Sequence, residues 1–133
     1  MEIVSQVDNR SLGRHILAEF WGGCHLASPL LLEEALKVAA IKAGATILGS
    51  FSHHFGEEQG VTSVVILSES HISIHTWPEH KYSAIDVFMC GKANPHIAIE
   101  DLRRSIKPDK VSVNEYSRGE LSTDNPYEKE HVK

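Results

Sequence analysis

Residues 68–80 of this chain, SESHISIHTWPEH, concentrate side chains that could do chemistry. Three of them are histidines, and Ser70 lies between Glu69 and the first of the three. Such a set could bind a metal ion, activate a serine nucleophile or carry protons. A lone histidine or serine at a strand end is more often an ordinary polar residue, so each of these chemistries has to be tested against the spacing.

A metal site would require two of the histidines to share one ion. His71 and His75 alternate with Ile72 and Ile74, a period of two that predicts a β-strand. Four residues of strand at roughly 3.3 Å each would separate the two histidines by about 13 Å. One Zn²⁺ with Zn–N bonds of about 2.1 Å cannot join groups so far apart. The sequence therefore predicts no metal site.

A serine hydrolase of the nucleophile-elbow type is also excluded. That class places its serine in the motif GxSxG, whereas Ser70 lies in the string ESESHIS.

The composition indicates one globular domain and excludes further function classes. The chain has 133 residues, 41% of them hydrophobic and 23% charged, as expected for a single domain. A net charge of −5 argues against a nucleic-acid partner. No apolar run approaches the roughly 20 residues that would span a membrane, and the first residues do not resemble a signal peptide. Cys24 and Cys90 form no CxxC pair, so we expect reduced thiols and a cytoplasmic location.

The elements that must position these residues follow from periodicity and from helix caps. Two helices are expected to begin at Ser28-Pro29 and Asn94-Pro95, and to end at Gly44 and near residue 106. The polar residues 1–11 predict a loose arm, and those from 118 to 133 a disordered tail. The predicted strands are residues 13–21, 46–55, 61–67, 71–75, 83–90 and 110–116.

The order strand, helix, several strands, helix, strand predicts an α+β fold. We expect a two-layer α/β sandwich, with a mostly antiparallel sheet and two helices on one face. Residues 64–67 are all apolar, so the second face of the sheet also needs cover. The sequence therefore predicts a dimer that forms through the sheet.

The string from Ser68 to Gly91, SESHISIHTWPEHKYSAIDVFMCG, closely resembles the short prokaryotic form of S-adenosylmethionine decarboxylase. The resemblance extends to SLGRHILAEFWG near the start, AGATIL after the first helix and GVTSVVILSESH in the centre. Only the first ten residues and the tail fall outside it. The core ESHISIHTWPE is highly specific, unlike a short degenerate motif.

This resemblance implies a proenzyme that cleaves its own backbone between Glu69 and Ser70. The products would be a β chain, residues 1–69, and an α chain, residues 70–133, that begins with a pyruvoyl group made from Ser70. In that chemistry the Ser70 hydroxyl attacks the Glu69 carbonyl, and elimination then releases the β chain. His75 matches the family's proton acceptor in this processing, and an imidazole suits such work near neutral pH.

The hydroxyl that polarises the scissile carbonyl in this family matches Thr62. Two neighbouring positions depart from the family pattern: Thr62 stands where serine is usual, and Ser63 where glycine is usual. Threonine keeps the hydroxyl group.

The resemblance further implies that the covalent pyruvoyl group is the cofactor of a decarboxylase. Its ketone would form a Schiff base with the amine of S-adenosylmethionine and accept the electrons that CO₂ leaves behind. Cys90 matches the family's proton donor to the resulting carbanion. Phe55 matches a residue that stacks on the adenine, and Glu79 matches one that binds the ribose hydroxyls. A free cysteine is more often a small buried apolar residue, and we keep that interpretation for Cys24.

Two alternatives remain open. Relatives of this family decarboxylate arginine or ornithine with the same ESH…IHTWPE machinery. A non-catalytic binding protein could keep the fold, although Glu69, Ser70, His75 and Cys90 are all present. The expected partners are the small-molecule substrate, the two chains of one precursor, and a second αβ pair in a homodimer. The product would supply aminopropyl groups for spermidine synthesis.

Overall fold

A computed structural model describes residues 11–121 and residue 127 of the chain. The order of its elements is the predicted one, with a single 3₁₀ turn, Pro78–His80, between the fourth and fifth strands. The elements are β1 (Ser11–Trp21), α1 (Pro29–Lys42), β2 (Ile47–His54), β3 (Val61–Leu67), β4 (Ser70–Trp77), β5 (Tyr82–Met89), α2 (Pro95–Ile106) and β6 (Lys110–Glu120).

Both helices begin where the sequence predicts. The Ser28 side chain accepts a hydrogen bond from the Leu31 N–H at 3.2 Å, and the Asn94 side chain accepts one from the His96 N–H at 2.9 Å. Gly44, with φ of 92°, ends the first helix. Within the described residues neither helix could cross a bilayer, since α1 has 14 residues and α2 has 12.

The six strands form one sheet in the order β2-β3-β4-β5-β1-β6, and every neighbouring pair is antiparallel. Both helices pack on the same face of this sheet. The predicted α+β sandwich of two layers is therefore confirmed. The largest side chains buried between the layers include Ile16, Phe20, Leu32, Leu36, Leu67, Ile72, Ile74, Met89, Leu102 and Ile106.

The other face of the sheet, which we call the open face, has no layer above it among the described residues. Strand alternation places every second side chain there. Several are large and apolar: Leu17 is 43% exposed, Ile66 52% and Phe51 69%. The second apolar face that the sequence predicts is therefore present, and dimerisation through it stays a prediction.

Several strand boundaries differ from the prediction, most by one or two residues: β2 is Ile47–His54, β4 is Ser70–Trp77 and β5 is Tyr82–Met89. β1 begins at Ser11 rather than at residue 13, and β6 runs to Glu120, so the prediction of a disordered tail is wrong for residues 118–120. Arg118 pairs with Gly13 and Glu120 with Ser11. This pairing satisfies backbone groups and needs no apolar side chains, which is why composition does not reveal it. Residues 122–126 and 128–133 of the predicted tail, and residues 1–10 of the predicted arm, lie outside the described residues.

Candidate active site

The predicted cleavage site lies in the tight hairpin between β3 and β4. Leu67 pairs with Ser70, so Ser68 and Glu69 form a two-residue loop. Glu69 is exposed and has φ of 68°, in the left-handed region that residues with a Cβ rarely adopt. A two-residue hairpin loop commonly requires such a positive φ, and holding a residue with a Cβ there costs about 1–3 kcal/mol. The bond between Glu69 and Ser70 therefore follows a strained and accessible residue.

Cys90 follows the last residue of β5, the strand next to β4. Burial raises the pKa of its thiol, and the negative charge of Glu69 raises it further, so Cys90 also lies close to the cleavage site. A Cβ atom on Gly13 would lie 3.2 Å from the Cys90 Sγ, so β1 packs closely against the thiol. The thiol remains protonated at neutral pH, as a proton donor must.

Thr62 and His75 face each other across β3 and β4 on the open face. Thr62 Oγ1 lies 2.5 Å from His75 Nδ1, and this hydrogen bond fixes the orientation of the imidazole. The His75 ring also packs against Trp77 and Phe55, with centroid distances of 4.2 and 5.6 Å. The hydrogen bond occupies Nδ1, so a proton transfer by this histidine would use Nε2.

Phe55 and Glu79 line a cavity of about 280 Å³ together with His75 and Trp77. Phe55 is 56% exposed, so its ring is accessible for stacking. An aromatic face beside a carboxylate can stack on a planar base and accept hydrogen bonds from hydroxyl groups. The structure thus brings both predicted substrate contacts to the predicted proton acceptor.

The structure does not bring His75 to Ser70 of the same chain. The two residues lie five positions apart on β4, which corresponds to roughly 16–17 Å along a strand. They also have opposite parity: Ser70 shares the helix-covered side with Ile72, and His75 lies on the open face. The candidate residues therefore form two groups, the cleavage group (Glu69, Ser70 and Cys90) and the imidazole group (Phe55, Thr62, His75 and Glu79).

Sequence reasoning missed a third cluster, on the open face beside the cleavage group. Asp86 Oδ2 lies 2.7 Å from His15 Nε2 and 2.9 Å from His71 Nε2. Asp86 Oδ1 accepts a hydrogen bond from the Ser73 hydroxyl. Along the sequence, the residue that shares a strand face with His71 and could share an ion with it is His75. No spacing reveals the cluster, because its members belong to three strands that meet only in the sheet.

The atoms of His15, His71 and Asp86 that could coordinate a metal ion all lie within 4.8 Å of one another, which is close enough for them to share one ion. The hydrogen bonds, however, already assign the protons. Arg118 Nη1 lies 2.7 Å from His15 Nδ1, and a guanidinium can only donate, so His15 Nδ1 accepts. The proton of His15 then sits on Nε2, where it is donated to Asp86 rather than replaced by a metal. The cluster is therefore a hydrogen-bonded network.

Comparison with known proteins agrees with the resemblance that the sequence shows. A profile of the family described as S-adenosylmethionine decarboxylase matches residues 14–119 of the chain. The S-adenosylmethionine decarboxylase proenzyme of Methanococcus maripaludis strain C5 is 45% identical over 120 residues, which cover 86% of this chain and 96% of that protein. The proenzyme of the same name from Thermotoga maritima is 46% identical over 114 residues, or 83% of this chain and 86% of that protein.

A solved structure has the same fold. The crystal structure of the adenosylmethionine decarboxylase from Aquifex aeolicus VF5 superimposes with a TM-score of 0.79 at 31% sequence identity. The match covers 87% of this chain and 98% of that one.

Proposed function

The chain belongs to the S-adenosylmethionine decarboxylase family, as its sequence predicts, and we propose that it decarboxylates S-adenosylmethionine with a pyruvoyl group made from its own Ser70. The activity is that of a carboxy-lyase. The observation that carries the proposal is the strained, exposed Glu69 at the predicted cleavage site, beside the protonated thiol of Cys90. The relatives reported above are all named for S-adenosylmethionine, so the arginine or ornithine alternative gains no support from them.

The precursor chain itself provides the groups for cleavage. The Ser70 hydroxyl attacks the Glu69 carbonyl, and the acyl group of Glu69 passes from the Ser70 nitrogen to its oxygen. His75 Nε2 then takes the Cα proton of residue 70, and Glu69 leaves as a carboxylate. The dehydroalanine left at residue 70 tautomerises to an imine, which water hydrolyses to the pyruvoyl ketone with release of ammonia. The Thr62 hydroxyl supports this role because it holds Nδ1 of the same ring at 2.5 Å.

The site fits a pyruvoyl group at residue 70, because cleavage there would leave both fragments in place. The cut lies in a hairpin loop, and β3 and β4 on either side pair from Thr62 with His75 to Leu67 with Ser70. The β chain (1–69) and the α chain (70–133) would therefore stay associated. When formed, the group supplies a ketone carbonyl that can withdraw electrons from the substrate Cα. Cys90 holds the proton that Cα receives after CO₂ departs.

Substrate would bind in the cavity of about 280 Å³ that Phe55 and Glu79 line. The Phe55 ring would stack on the adenine, and the Glu79 carboxylate would accept hydrogen bonds from the ribose hydroxyls. The Glu79 carboxylate also suits the positive charge of the sulfonium substrate. The product would serve spermidine synthesis, and the two free thiols, Cys24 and Cys90, agree with work in the reducing cytoplasm.

The active site would be shared between two copies of the chain in a homodimer. The support is geometric: His75 lies roughly 16–17 Å from Ser70 along its own strand, which is too far for proton transfer. The open face carries both His75 and the exposed apolar residues Leu17, Phe51 and Ile66. Packing two open faces would bury this surface and allow His75 of one copy to serve residue 70 of the other.

Co-expression of two inactive precursors tests this arrangement. Ser70→Ala cannot be cleaved, and His75→Ala lacks its own proton acceptor. In a mixed dimer the intact His75 of the first would serve the intact Ser70 of the second, so mass spectrometry should find the His75→Ala chain cleaved. If co-expression leaves the His75→Ala chain as uncleaved as it is alone, the shared site is refuted.

The activity itself is tested with carboxyl-labelled substrates. Purified, cleaved protein should release labelled CO₂ from S-adenosylmethionine and not from arginine or ornithine. Release from arginine or ornithine alone would establish the alternative substrate, and binding without CO₂ release would refute catalysis.

A further inference from the structure

Asp86 ties three strands together on the open face. It lies on β5, and its carboxylate accepts hydrogen bonds from His15 on β1 and from His71 and Ser73 on β4. Burial alone would raise the pKa of Asp86, but the three hydrogen bonds together bring it below its ordinary value. The group is therefore a charged acceptor at neutral pH, and each of its partners donates to it.

The two histidine rings enclose Phe88. The ring centroids of His15 and His71 lie 5.1 and 5.9 Å from that of Phe88. His71 directly follows Ser70, and Phe88 comes two residues before Cys90. Asp86 thus fixes the side chains next to the cleavage bond and next to the predicted proton donor.

Such support is needed because both functional residues lie at strand ends. The ladder between β4 and β5 has His71 opposite Phe88 as its outermost pair, with Ser70 and Cys90 just beyond it. Ser70 keeps its pairing with Leu67 on β3, whereas Cys90 lies past the end of β5, so on this side contacts between side chains help to hold the two residues next to each other. A Cβ on Gly13 would lie 2.7 Å from the Phe88 ring, so the backbone of β1 also packs closely against this ring.

We propose that Asp86 is a positioning residue of this active site, which holds residue 70 and Cys90 in register through His71 and the ring of Phe88. The proposal rests on the proposed function, because it concerns the same cleavage bond and the same proton donor. It assigns His71 the role of a hydrogen-bonded anchor rather than that of a group that transfers protons.

Substitutions at His71 separate these two roles. Glutamine places its amide Nε2 near the position of the histidine Nε2, so His71→Gln can still donate to Asp86 but cannot titrate. His71→Ala removes the hydrogen-bond donor. Asp86→Asn replaces one of the two carboxylate oxygens with an NH₂ group, which cannot accept a hydrogen bond. We expect Asp86→Asn and His71→Ala to slow self-cleavage by about a hundredfold, as a misplacement of about 1 Å can. We expect His71→Gln to cleave close to the wild-type rate.

Glu33→Gln provides a matched control. Glu33 on α1 accepts hydrogen bonds at 2.5 Å from Ser50 and from Ser52 on β2, and its side chain is 25% exposed against 22% for Asp86. Its pKa is likewise lowered by those hydrogen bonds. Its partners Ser50 and Ser52 pair with Val65 and Ser63 in the body of β3 rather than with the hairpin residues, so its substitution should lower stability without slowing cleavage.

Full-length variants would be made by cell-free synthesis, with cleavage followed over time by mass spectrometry and stability by urea unfolding. Cleavage by Asp86→Asn at the wild-type rate would overturn the proposal, and so would a His71→Gln chain as slow as His71→Ala. The His71 pair keeps the test decisive even if Asp86→Asn does not fold. A wild-type chain that never cleaves would contradict the proposed function itself, whereas wild-type cleavage with unaffected variants would contradict only the role of Asp86.

Discussion

The cleavage group and the imidazole group lie on the same sheet but are built in opposite ways. The cleavage group lies at strand ends, with a strained residue, Glu69, and a half-buried thiol, Cys90. The imidazole group lies within the sheet and beside it, where Thr62 and His75 are paired at 2.5 Å and packed against aromatic rings. One group holds the bond proposed to break, and the other holds the imidazole proposed to take a proton.

This contrast separates the bond proposed to break from the residue proposed to take a proton during cleavage. A strained loop can be attacked and released without loss of the core, because β3 and β4 remain paired on both sides of the cut. A proton acceptor gains from rigidity instead, since a fixed ring keeps its free nitrogen correctly oriented. The two groups would meet only when two copies of the chain combine.

The largest expected effect is at the bond itself. Ser70→Ala removes the attacking hydroxyl, so cleavage should be abolished and mass spectrometry should show one intact chain. Ser68→Ala is the matched control, because it changes a hydroxyl in the same loop and should cleave normally. A Ser70→Ala chain that still splits at residue 69 would contradict the assignment of the nucleophile.

The next largest effect is expected in the imidazole group. His75→Ala, expressed alone, should slow cleavage by about 10²–10⁴-fold, the usual contribution of a positioned acid–base residue. His80→Ala, which removes an exposed histidine from the 3₁₀ turn, should leave the rate unchanged. Equal rates for the two variants would remove His75 from the mechanism.

Cys90→Ala should distinguish the two reactions of the cleavage group. The thiol is proposed to act only after the pyruvoyl group has formed, so cleavage should proceed while CO₂ release falls by about 10²–10⁴-fold. Cys24→Ala is the control, because that thiol donates to the Ile106 carbonyl at 3.3 Å in the helix layer. Normal CO₂ release by Cys90→Ala would refute its role as proton donor.

A smaller effect is expected at Thr62. Thr62→Val keeps the shape but removes the hydrogen bond to His75, which is worth about 1 kcal/mol and so about fivefold in cleavage rate. Thr62→Ser keeps the hydroxyl and should cleave at close to the wild-type rate, because serine is the residue usual at this position in the family. A serine variant as slow as the valine variant would show that the methyl group, not the hydroxyl, matters.

The smallest effect concerns pH. Burial, and then the charge of Glu69, raises the pKa of Cys90, and the thiol donates a proton only in its protonated form. A raised pKa keeps that form populated to higher pH, so the alkaline limb of the decarboxylation rate should lie above the ordinary thiol pKa of about 8.5. A pH profile of kcat with a limb below that value would contradict this.

Much of the fold could be predicted because its signals are local. Ser28 and Asn94 cap helices through their own side chains, and alternation on β4 follows from the period of two. The end of β6 could not be predicted, because Arg118 and Glu120 are ordered by pairing with the backbone of β1 rather than by apolar side chains of their own.

The sequence by itself determined the elements and their order, since caps and periodicity are properties of neighbouring residues. Its motif also supplied the resemblance from which cleavage between Glu69 and Ser70 is proposed. Only the tertiary structure decided which side chains meet. Asp86 reaches His15 and His71 because the pairing of three strands puts them side by side, and pairing register depends on contacts between segments far apart in the chain. The separation of Ser70 from His75, by contrast, follows from their spacing of five residues along one strand.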